Sequence, residues 1–439
     1  MLPSRRVYWF LLLGVAIAPI LSVFTPGETR FITASLILVG VDVLVLAIAI
    51  VDGWRSRGDR VQISRQIAER LSIGRDNSVE LIIQSGKTPA VLQICDGYPT
   101  PLPGKPATLT AVLPANSTET LSYQVYPTDR GTYQWGSIQV RQLSQLGLVW
   151  MDWKIPQNQA IAVYPDLIGL RHLSIRLTLQ SSGNIRRAQR MGVGTEFSEL
   201  RDYVTGDDPR LIDWKATARR TRPLVRVLEP EQEQTLIILL DRGRLMTAQV
   251  KGLKRFDWGL NATLSLALAG LSRGDRVGVA VFDRQIHTWV PPERGQTQLS
   301  KLLDRLTPIQ PELLEPDYFG AVSTLVSQQT RRALVVLITD LVDAIASSEL
   351  LSAMSRLTPR YLPFCVTLRD PEVDVQAHNL SPDVATTYSR AVALDLLAQR
   401  KRAFAALKQK GVLVLDAPAH QITEELVDQY LRLKAKGRL

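Results

Sequence analysis

Cysteine and histidine are scarce in this chain, and their positions exclude several kinds of site. The two cysteines, Cys95 and Cys365, lie far apart and form no CxxC pattern, which fits a reducing compartment and argues against a disulfide framework. The four histidines are scattered without metal-ligand spacing, and neither HExxH nor GxSxG occurs. The stretch QSGKTP resembles the end of a phosphate-binding loop, but its first glycine is replaced by Leu81 and Pro89 interrupts the helix that should follow. We therefore expect no enzyme.

Aromatic residues are also few, at 6% of the chain, and they form no stacking pattern interleaved with arginines. The net charge of +10, from 52 Lys and Arg against 42 Asp and Glu, favours an acidic partner, anionic lipid or nucleic acid. Because the basic residues are dispersed, we do not expect nucleic acid to be the partner. The length of 439 residues, with 45% hydrophobic content, favours two or three folded domains.

Two long apolar runs lie near the N-terminus, at residues 7–24 and 31–51. Crossing a bilayer takes ~20 residues, so the two runs and the short TPGETR between them predict a transmembrane helical hairpin within residues 1–59. Basic residues flank both outer ends of the hairpin, which places both termini and the bulk of the chain in the cytoplasm, at the inner (cytoplasmic) membrane. The alternative is a signal peptide cleaved after Ala18, which the following Pro19 opposes.

Asp42 lies near the middle of the second apolar run. A carboxyl group inside a bilayer is costly, so it is a candidate functional residue by default. The alternative is a protonated Asp42 that bonds to Ser35, to the other helix, or across an oligomer interface. We favour this alternative because neither run contains a second ionisable group with which Asp42 could form a relay.

Residues 60–169 predict an all-β sandwich. Short alternating runs such as SVELIIQS, AVLQICDG and TLSYQVYP recur at intervals of roughly 8–12 residues, separated by Gly, Pro, Asn and Asp. Several prolines between residues 99 and 106 confine that stretch to a loop or a sheet edge.

Residues 170–234 form a charged connector in this interpretation. Within it, Asp208 followed by Pro209 predicts the start of a helix, because Asp is a good N-cap and Pro is tolerated at the first helical position. One face of that helix would carry Leu211, Trp214 and Ala218. Its C-terminal end carries the densest positive patch in the chain, made of Lys215, Arg219, Arg220, Arg222 and Arg226. The patch is either a binding surface or a solvated helix end that complements the helix dipole.

Residues 235–439 alternate between short apolar strands and amphipathic helices, which predicts a doubly wound α/β domain with a parallel sheet. Asp241 directly follows the strand TLIILL, and Asp340 follows LVVLIT. Ligands of such sheets bind at the carboxyl ends of the strands, where the strand order reverses. If these two strands are neighbours, the two carboxylates converge on a site, although the spacing does not name its ligand.

The run GVGTEFSELRDYVTGDDPRLIDWKATARRTRPLVRVLEPEQEQTLIILLD resembles the bacterial family catalogued as "domain of unknown function 58". The apolar hairpin, the stretch YPTDRGTYQWGSIQV and the following QLGLV are also similar to that family. The resemblance implies a von Willebrand factor A-like α/β domain and a partnership with AAA+ ATPases of the methanol-dehydrogenase-regulator (MoxR) type. It implies no enzymatic activity.

The resemblance also implies where a metal would bind, because von Willebrand A domains hold Mg²⁺ with an Asp-x-Ser-x-Ser loop, a Thr and a second Asp, all of them oxygen ligands. Asp241 and Asp340 match the two Asp positions. The serine positions are Gly243 and Leu245, and the second loop offers Asp317 in place of a Thr. We therefore expect a degenerate site in which the nearby cations Arg242 and Arg244 replace the metal.

These patterns together predict a membrane-anchored, cytoplasm-facing adaptor that docks an AAA+ ATPase or its client, without a cofactor. The predicted partner-binding residues are Asp208, Arg210, Trp214, Arg219, Arg220, Asp241, Arg242, Arg244 and Asp340. One alternative is a hydrolase that uses a divalent metal at Asp241 and Asp340. Another is a basic protein that binds anionic lipid or nucleic acid.

Overall fold

The computed structural model describes residues 1–22, 30–100, 102, 104–105, 108–188, 196–229, 234–341, 344–381 and 383–436. The chain divides into two compact units, Met1–Tyr164 and Pro165–Leu439. The first unit joins apolar helices to a β-rich domain, and the second combines helices with a six-stranded sheet.

Two apolar helices open the first unit, α1 (Arg5–Ser22) and α2 (Arg30–Arg55). In the described part of the chain, one helical stretch, Ser35–Asp59, is long and apolar enough to cross a membrane, with a mean hydropathy of 2.5. Length and composition therefore support one of the two predicted spans. The predicted loop TPGETR lies largely outside the described residues, and the sidedness of the hairpin stays a prediction.

The end of α2 is bonded to the turn at residues 144–148 of the β-rich domain. The carboxylate of Asp52 accepts a hydrogen bond from the Leu146 N–H at 3.1 Å, and the Ser56 hydroxyl accepts one from the Gln145 N–H at 3.2 Å. Near the start of α1, the Ser4 hydroxyl donates to the Gly147 carbonyl at 2.6 Å. Because these groups are buried or half-buried, the contacts hold the helices at a defined place on the domain.

The rest of the first unit is β-rich. Its strands, with the short N-terminal β1, are β1 (Leu2–Pro3), β2 (Gln62–Ile67), β3 (Arg70–Ser72), β4 (Asn77–Gln84), β5 (Ala90–Cys95), β6 (Gly104–Lys105), β7 (Leu109–Leu113), β8 (Thr118–Val125), β9 (Gly131–Trp135), β10 (Ile138–Leu143), β11 (Val149–Ile155) and β12 (Gln159–Tyr164). They form three sheets, with strand orders β1-β11-β10-β5-β7, β2-β4-β8-β6 and β3-β12-β9. Alternation is clearest in β4, where every second residue is buried, so one face of the sheet lies in the core.

A buried ion pair connects strands of different sheets. The Arg65 guanidinium of β2 donates to both carboxylate oxygens of Asp96, which directly follows β5. The Tyr123 hydroxyl of β8 donates to the same carboxylate, and Arg65 also donates to the Gly136 carbonyl at 2.8 Å. Burial raises the pKa of Tyr123 well above its usual range, which keeps the phenol protonated as a donor.

The second unit contains the following strands and helices. Its strands are β13 (Glu196–Asp202), β14 (Leu224–Glu229), β15 (Thr235–Asp241), β16 (Gln249–Val250), β17 (Leu253–Lys254), β18 (Arg276–Phe282), β19 (Ile286–Glu293), β20 (Leu334–Thr339), β21 (Leu362–Arg369) and β22 (Leu413–Pro418). Its helices are α3 (Leu167–Ala188), α4 (Trp214–Arg220), α5 (Arg255–Ser272), α6 (Gln296–Leu306), α7 (Tyr318–Gln328), α8 (Ala344–Ser355), α9 (Pro371–His378), α10 (Val384–Gln409) and α11 (Ile422–Ala435).

The central sheet of this unit has the strand order β19-β18-β15-β20-β21-β22. All neighbouring strands pair in parallel except β18 and β19. Strand β19 lies at the edge of the sheet and runs antiparallel to β18. Strands such as β15 and β20 are apolar on both faces because helices cover both faces. One apolar core contains residues of α3, α5, α6 and α11, and the other contains residues of α7, α8 and α10.

The segment predicted as a charged connector contains regular structure. Strands β13 and β14 pair antiparallel, and a 3₁₀ turn (Pro209–Leu211) and α4 lie between them in the chain. The predicted helix start at Asp208 is wrong for the α-helix, because Asp208 caps only the 3₁₀ turn. The α-helix begins at Trp214 and is capped by Asp213, which accepts hydrogen bonds from the Lys215 and Ala216 N–H groups, both at 3.0 Å.

Candidate functional site

Asp241 and Asp340 lie at the carboxyl ends of two neighbouring strands. Asp241 is the last residue of β15, Asp340 directly follows β20, and the two strands pair in parallel. The chain passes from β15 to β18 and β19 on one side, then returns to β20 on the other, so the strand order reverses between β15 and β20. The prediction that these two strands are neighbours in the sheet is thus confirmed. Both side chains are buried, with 0% and 1% exposure.

Protein donors surround the Asp241 carboxylate. One oxygen accepts the Gly243 N–H at 2.7 Å, and the other accepts the Thr339 hydroxyl at 2.6 Å. The Tyr318 hydroxyl lies 3.0 Å from the Thr339 hydroxyl and 3.3 Å from the same carboxylate oxygen. Burial raises the pKa of Asp241 to about 6, although the three hydrogen bonds oppose that change. Because these donors occupy most of the lone pairs of the Asp241 carboxylate, Asp241 makes a poor metal ligand.

The Asp340 carboxylate is held by two arginines that the sequence analysis did not single out. One oxygen lies 2.8 Å from the Arg255 guanidinium at the start of α5, and the other lies 2.7 Å from the Arg400 guanidinium of α10. Arg400 also bonds Asp416 at 2.8 Å, so it bridges two carboxylates at the edge of the sheet. These pairs avoid the cost of an unpaired buried charge. We call Asp340, Arg255, Arg400 and Asp416 the arginine cluster.

The expectation that Arg242 and Arg244 neutralise the two aspartates is wrong. The Arg242 guanidinium is buried and pairs with Asp283 at 2.7 Å and Glu312 at 2.8 Å. The exposed Arg244 pairs with Glu315 at 2.6 Å. After β15 the backbone turns toward the end of β18, where the Arg242 N–H donates to the Phe282 carbonyl, and this turn carries both arginines away from Asp340.

A sequence signal for the arginine cluster does exist. Asp416 follows the apolar run VLVL at 412–415, so the sequence places a third carboxylate at the end of a predicted strand. Three carboxylates at one edge require cations, but Arg255 and Arg400 are far apart in the chain, and neither is adjacent to a strand of the central sheet. Only the packing of α5 and α10 against the sheet identifies them as the partners.

The residues present do not fit a divalent metal. A side chain at Gly243, the first predicted serine position, would place its Cβ 2.8 Å from the Leu314 carbonyl oxygen, so no hydroxyl ligand can occupy that position without displacing backbone. Asp317, the candidate in the second loop, accepts the Gly320 N–H at 2.7 Å as the N-cap of α7. In the described residues, no three His, Cys, Asp or Glu side chains are grouped as metal ligands.

The predicted residues between 208 and 220 lie on the β13–β14 segment. The Trp214 side chain is 70% exposed. Lys215, Arg219 and Arg220 of α4 are exposed and form no ion pair with any described residue. We call Trp214 and these three cations the α4 face.

Two acidic residues of the same segment have structural roles. Asp208 accepts the Arg210 N–H at 3.0 Å as the cap of the 3₁₀ turn. Asp213 caps α4 and pairs with Arg226 at 2.9 Å, and the N–H groups of α4 and the Arg226 guanidinium hold the pKa of Asp213 below its usual range. These hydrogen bonds shape the segment that presents the α4 face, and contact of Asp208 with a partner stays a prediction.

Comparison with known proteins identifies similarity over the second unit. The family model described as "Protein of unknown function DUF58" matches residues 199–376. The uncharacterized protein Rv1480 of Mycobacterium tuberculosis is 27% identical over 218 residues, which cover 46% of this chain and 69% of that protein. The uncharacterized protein YeaD of Bacillus subtilis is 24% identical over 226 residues, which cover 50% of this chain and 53% of that protein. The resemblance noted in the sequence is therefore confirmed over this range, and it brings no assigned activity.

Among solved structures, the conserved hypothetical protein BatB from Bacteroides thetaiotaomicron is similar to 46% of this chain and 99% of its own chain. The TM-score of that match is 0.32 and the sequence identity is 15%.

Proposed function

We propose that this protein is a membrane-anchored adaptor that docks an AAA+ ATPase or its client on the cytoplasmic side. The apolar stretch Ser35–Asp59 supports the anchor, and the basic residues that flank the hairpin support the cytoplasmic orientation. The partner follows from the family resemblance, whose members are linked with ATPases of the MoxR type. The parallel sheet with one antiparallel edge strand supports a von Willebrand factor A-like domain in the second unit.

The observation that carries the proposal is the α4 face. The short helix α4 carries an exposed tryptophan and three exposed cations, and Trp and Arg are the residues that contribute most to interface hot spots. The neighbouring cations Arg222 and Arg226 pair with Asp202 and Asp213, whereas the three of the α4 face pair with no described residue. Their charges are therefore available to an acidic surface on the partner, and charge complementarity of this kind speeds association.

The arginine cluster has a supporting role in this proposal. Its guanidinium groups occupy the carboxylate oxygens that a metal would need, and they tie α5 and α10 to the carboxyl edge of the sheet. Docking at this edge is then independent of divalent metal. The same geometry disfavours a metal-dependent hydrolase, because Asp241 and Asp340 already bond to protein donors.

The test is capture of the full-length protein from native membranes, followed by titration of the purified ATPase that is recovered. Replacing Trp214→Ala, or Arg219→Glu together with Arg220→Glu, should weaken ATPase binding at least tenfold, the usual loss at an interface hot spot. Arg331→Glu with Arg332→Glu is the matched control, because these exposed arginines precede the amino-terminal end of β20. A chelator should leave binding unchanged, and higher salt should weaken it.

Three outcomes would count against the proposal. Loss of ATPase binding on chelation would mean that a metal acts at the site. If the α4-face variants and the control bind the ATPase with equal affinity, the α4 face is not the docking surface. Recovery of anionic lipid or nucleic acid without any ATPase would favour the basic binding protein.

A further inference from the structure

The turn at residues 144–148, between β10 and β11, lies at the level where α2 leaves its apolar run. The run 31–51 is about 31 Å long, which matches the ~30 Å hydrocarbon core of a bilayer. Directly after it comes Asp52, whose carboxylate accepts the Leu146 N–H at 3.1 Å. When the run crosses a bilayer, Asp52 and the turn therefore lie at the boundary between hydrocarbon and headgroups.

The turn is joined to both apolar helices without a linker. Leu148 of the turn and the following Val149 pack in one apolar cluster with Val7 of α1 and Ala49 of α2. Ala49 belongs to the apolar run itself, so this part of the β-rich domain lies beside the end of the run. A bilayer that surrounds the two helices therefore also meets the turn.

The three residues at the tip of the turn bond both of their backbone polar groups to protein. These residues are Leu146, Gly147 and Leu148. The partners are Asp52 and Ser144 for the N–H groups, and Arg6 and Ser4 for the carbonyl groups. A turn in water does not need such partners, because water supplies them, whereas a turn in a membrane interface does. The turn therefore suits surroundings that contain little water.

The side chains near the tip also suit a membrane interface. Leu146 is 59% exposed, and Trp54, two positions after Asp52 on α2, is 72% exposed. Trp is enriched at the level of the lipid headgroups, because its ring is apolar and its N–H is polar. The exposed Arg6 guanidinium donates to the Leu146 carbonyl at 3.2 Å, so a cation lies directly at the tip. Three further exposed arginines lie near the ends of the two helices, namely Arg5, Arg55 and Arg57.

We propose that the turn at residues 144–148 is a membrane-binding surface of the β-rich domain, an inference that rests on the proposed membrane anchor. The Leu146 side chain lies among the lipid headgroups, and the neighbouring arginines bind the phosphates of anionic lipids. These phosphates belong to the bilayer that α2 crosses, because the hydrogen bond to Asp52 holds the turn at that depth. The β-rich domain is then fixed against the membrane instead of moving on a tether.

The first experiment measures depth in the full-length protein, reconstituted in vesicles of phosphatidylcholine and phosphatidylglycerol. Leu146→Cys carries an environment-sensitive fluorophore, and the quencher is a lipid spin-labelled at its headgroup. The matched control is Asn158→Cys, an exposed residue beyond the far end of β11, roughly 20 Å from the turn. The unmodified chain gives the labelling background from Cys95 and Cys365. Quenching should be strong at Leu146 and weak at Asn158.

Two outcomes of this experiment would overturn the inference, and they differ in what else they remove. Equal quenching at the two positions, in a protein that stays in the vesicles after a carbonate wash, would refute the membrane-binding turn and leave the anchor intact. A protein that the wash removes from the vesicles would refute the anchor of the proposed function and the turn together.

The second experiment tests the phosphate contacts through the preference of the protein for phosphatidylglycerol over phosphatidylcholine. Spin-labelled lipids of each kind report the fraction that the protein immobilises. Arg57→Gln should lower the preference by up to about fivefold, the contribution of one arginine near an anionic surface. Lys154→Gln, which removes an exposed cation near the far end of β11, is the control and should leave the preference unchanged. Equal preferences in the two variants would contradict phosphate binding at the turn.

Discussion

Removing Arg400 should destabilise the second unit substantially. Arg400→Met leaves Asp340, which is 1% exposed, with Arg255 as its only ion-pair partner, and leaves Asp416 without its short contact to Arg400. Removing one partner of a buried ion pair costs about 3–5 kcal/mol, because a charge stays buried without full compensation. Since Arg255 still pairs with one Asp340 oxygen, we expect the lower end, ~3 kcal/mol. For a unit of this size that lowers the thermal midpoint by roughly 5 °C.

Thermal unfolding of the detergent-solubilised full-length protein, followed by tryptophan fluorescence, measures this loss. The matched control is Arg402→Met, because Arg402 is an exposed residue of the same helix and should change stability by less than ~0.5 kcal/mol. Combining Arg400→Met with Asp340→Asn should cost less than the sum of the single changes, since the double variant removes the unpaired charge. Equal midpoints for Arg400→Met and Arg402→Met would refute the assignment of Arg400 as the buried counter-ion.

Two further predictions concern Asp241 and Gly243. Burial raises the pKa of Asp241 to about 6, above its ordinary value of 3.8, so its stabilising contribution is full below the lower value and lost as pH rises through the higher one. Relative to wild type, the free energy of unfolding of Asp241→Asn should therefore rise by up to ~3 kcal/mol between about pH 4 and 7, and parallel pH profiles would contradict this. Gly243→Ser introduces a serine at the first metal-ligand position of the predicted site, but its side chain clashes with the Leu314 carbonyl. The variant should therefore lose about 1–3 kcal/mol of unfolding free energy, and added Mg²⁺ should not stabilise it. Gly58→Ser, which has open space around the added atom, is its control.

Local sequence patterns predicted the secondary structure of the second unit well. The strands TLIILL and LVVLIT are found as β15 and β20, because short β-branched runs with no polar face can be buried only between two layers of helices. Pattern was less informative for the region between 208 and 220. There Asp208 and Asp213 are both good caps, and only the three-dimensional contacts select Asp213 for the α-helix.

Local sequence was enough to place Asp241 and Asp340 at the ends of strands, since that depends only on neighbours in the chain. Which cations pair with the buried carboxylates depends instead on how distant segments pack. Arg242 and Arg244 are adjacent to Asp241 in sequence, yet they pair with Asp283, Glu312 and Glu315 because the backbone turns away after β15. The cations that hold Asp340 come from α5 and α10, and only the packing of those helices brings them there. Ion pairs depend on distance in space, which local sequence does not encode.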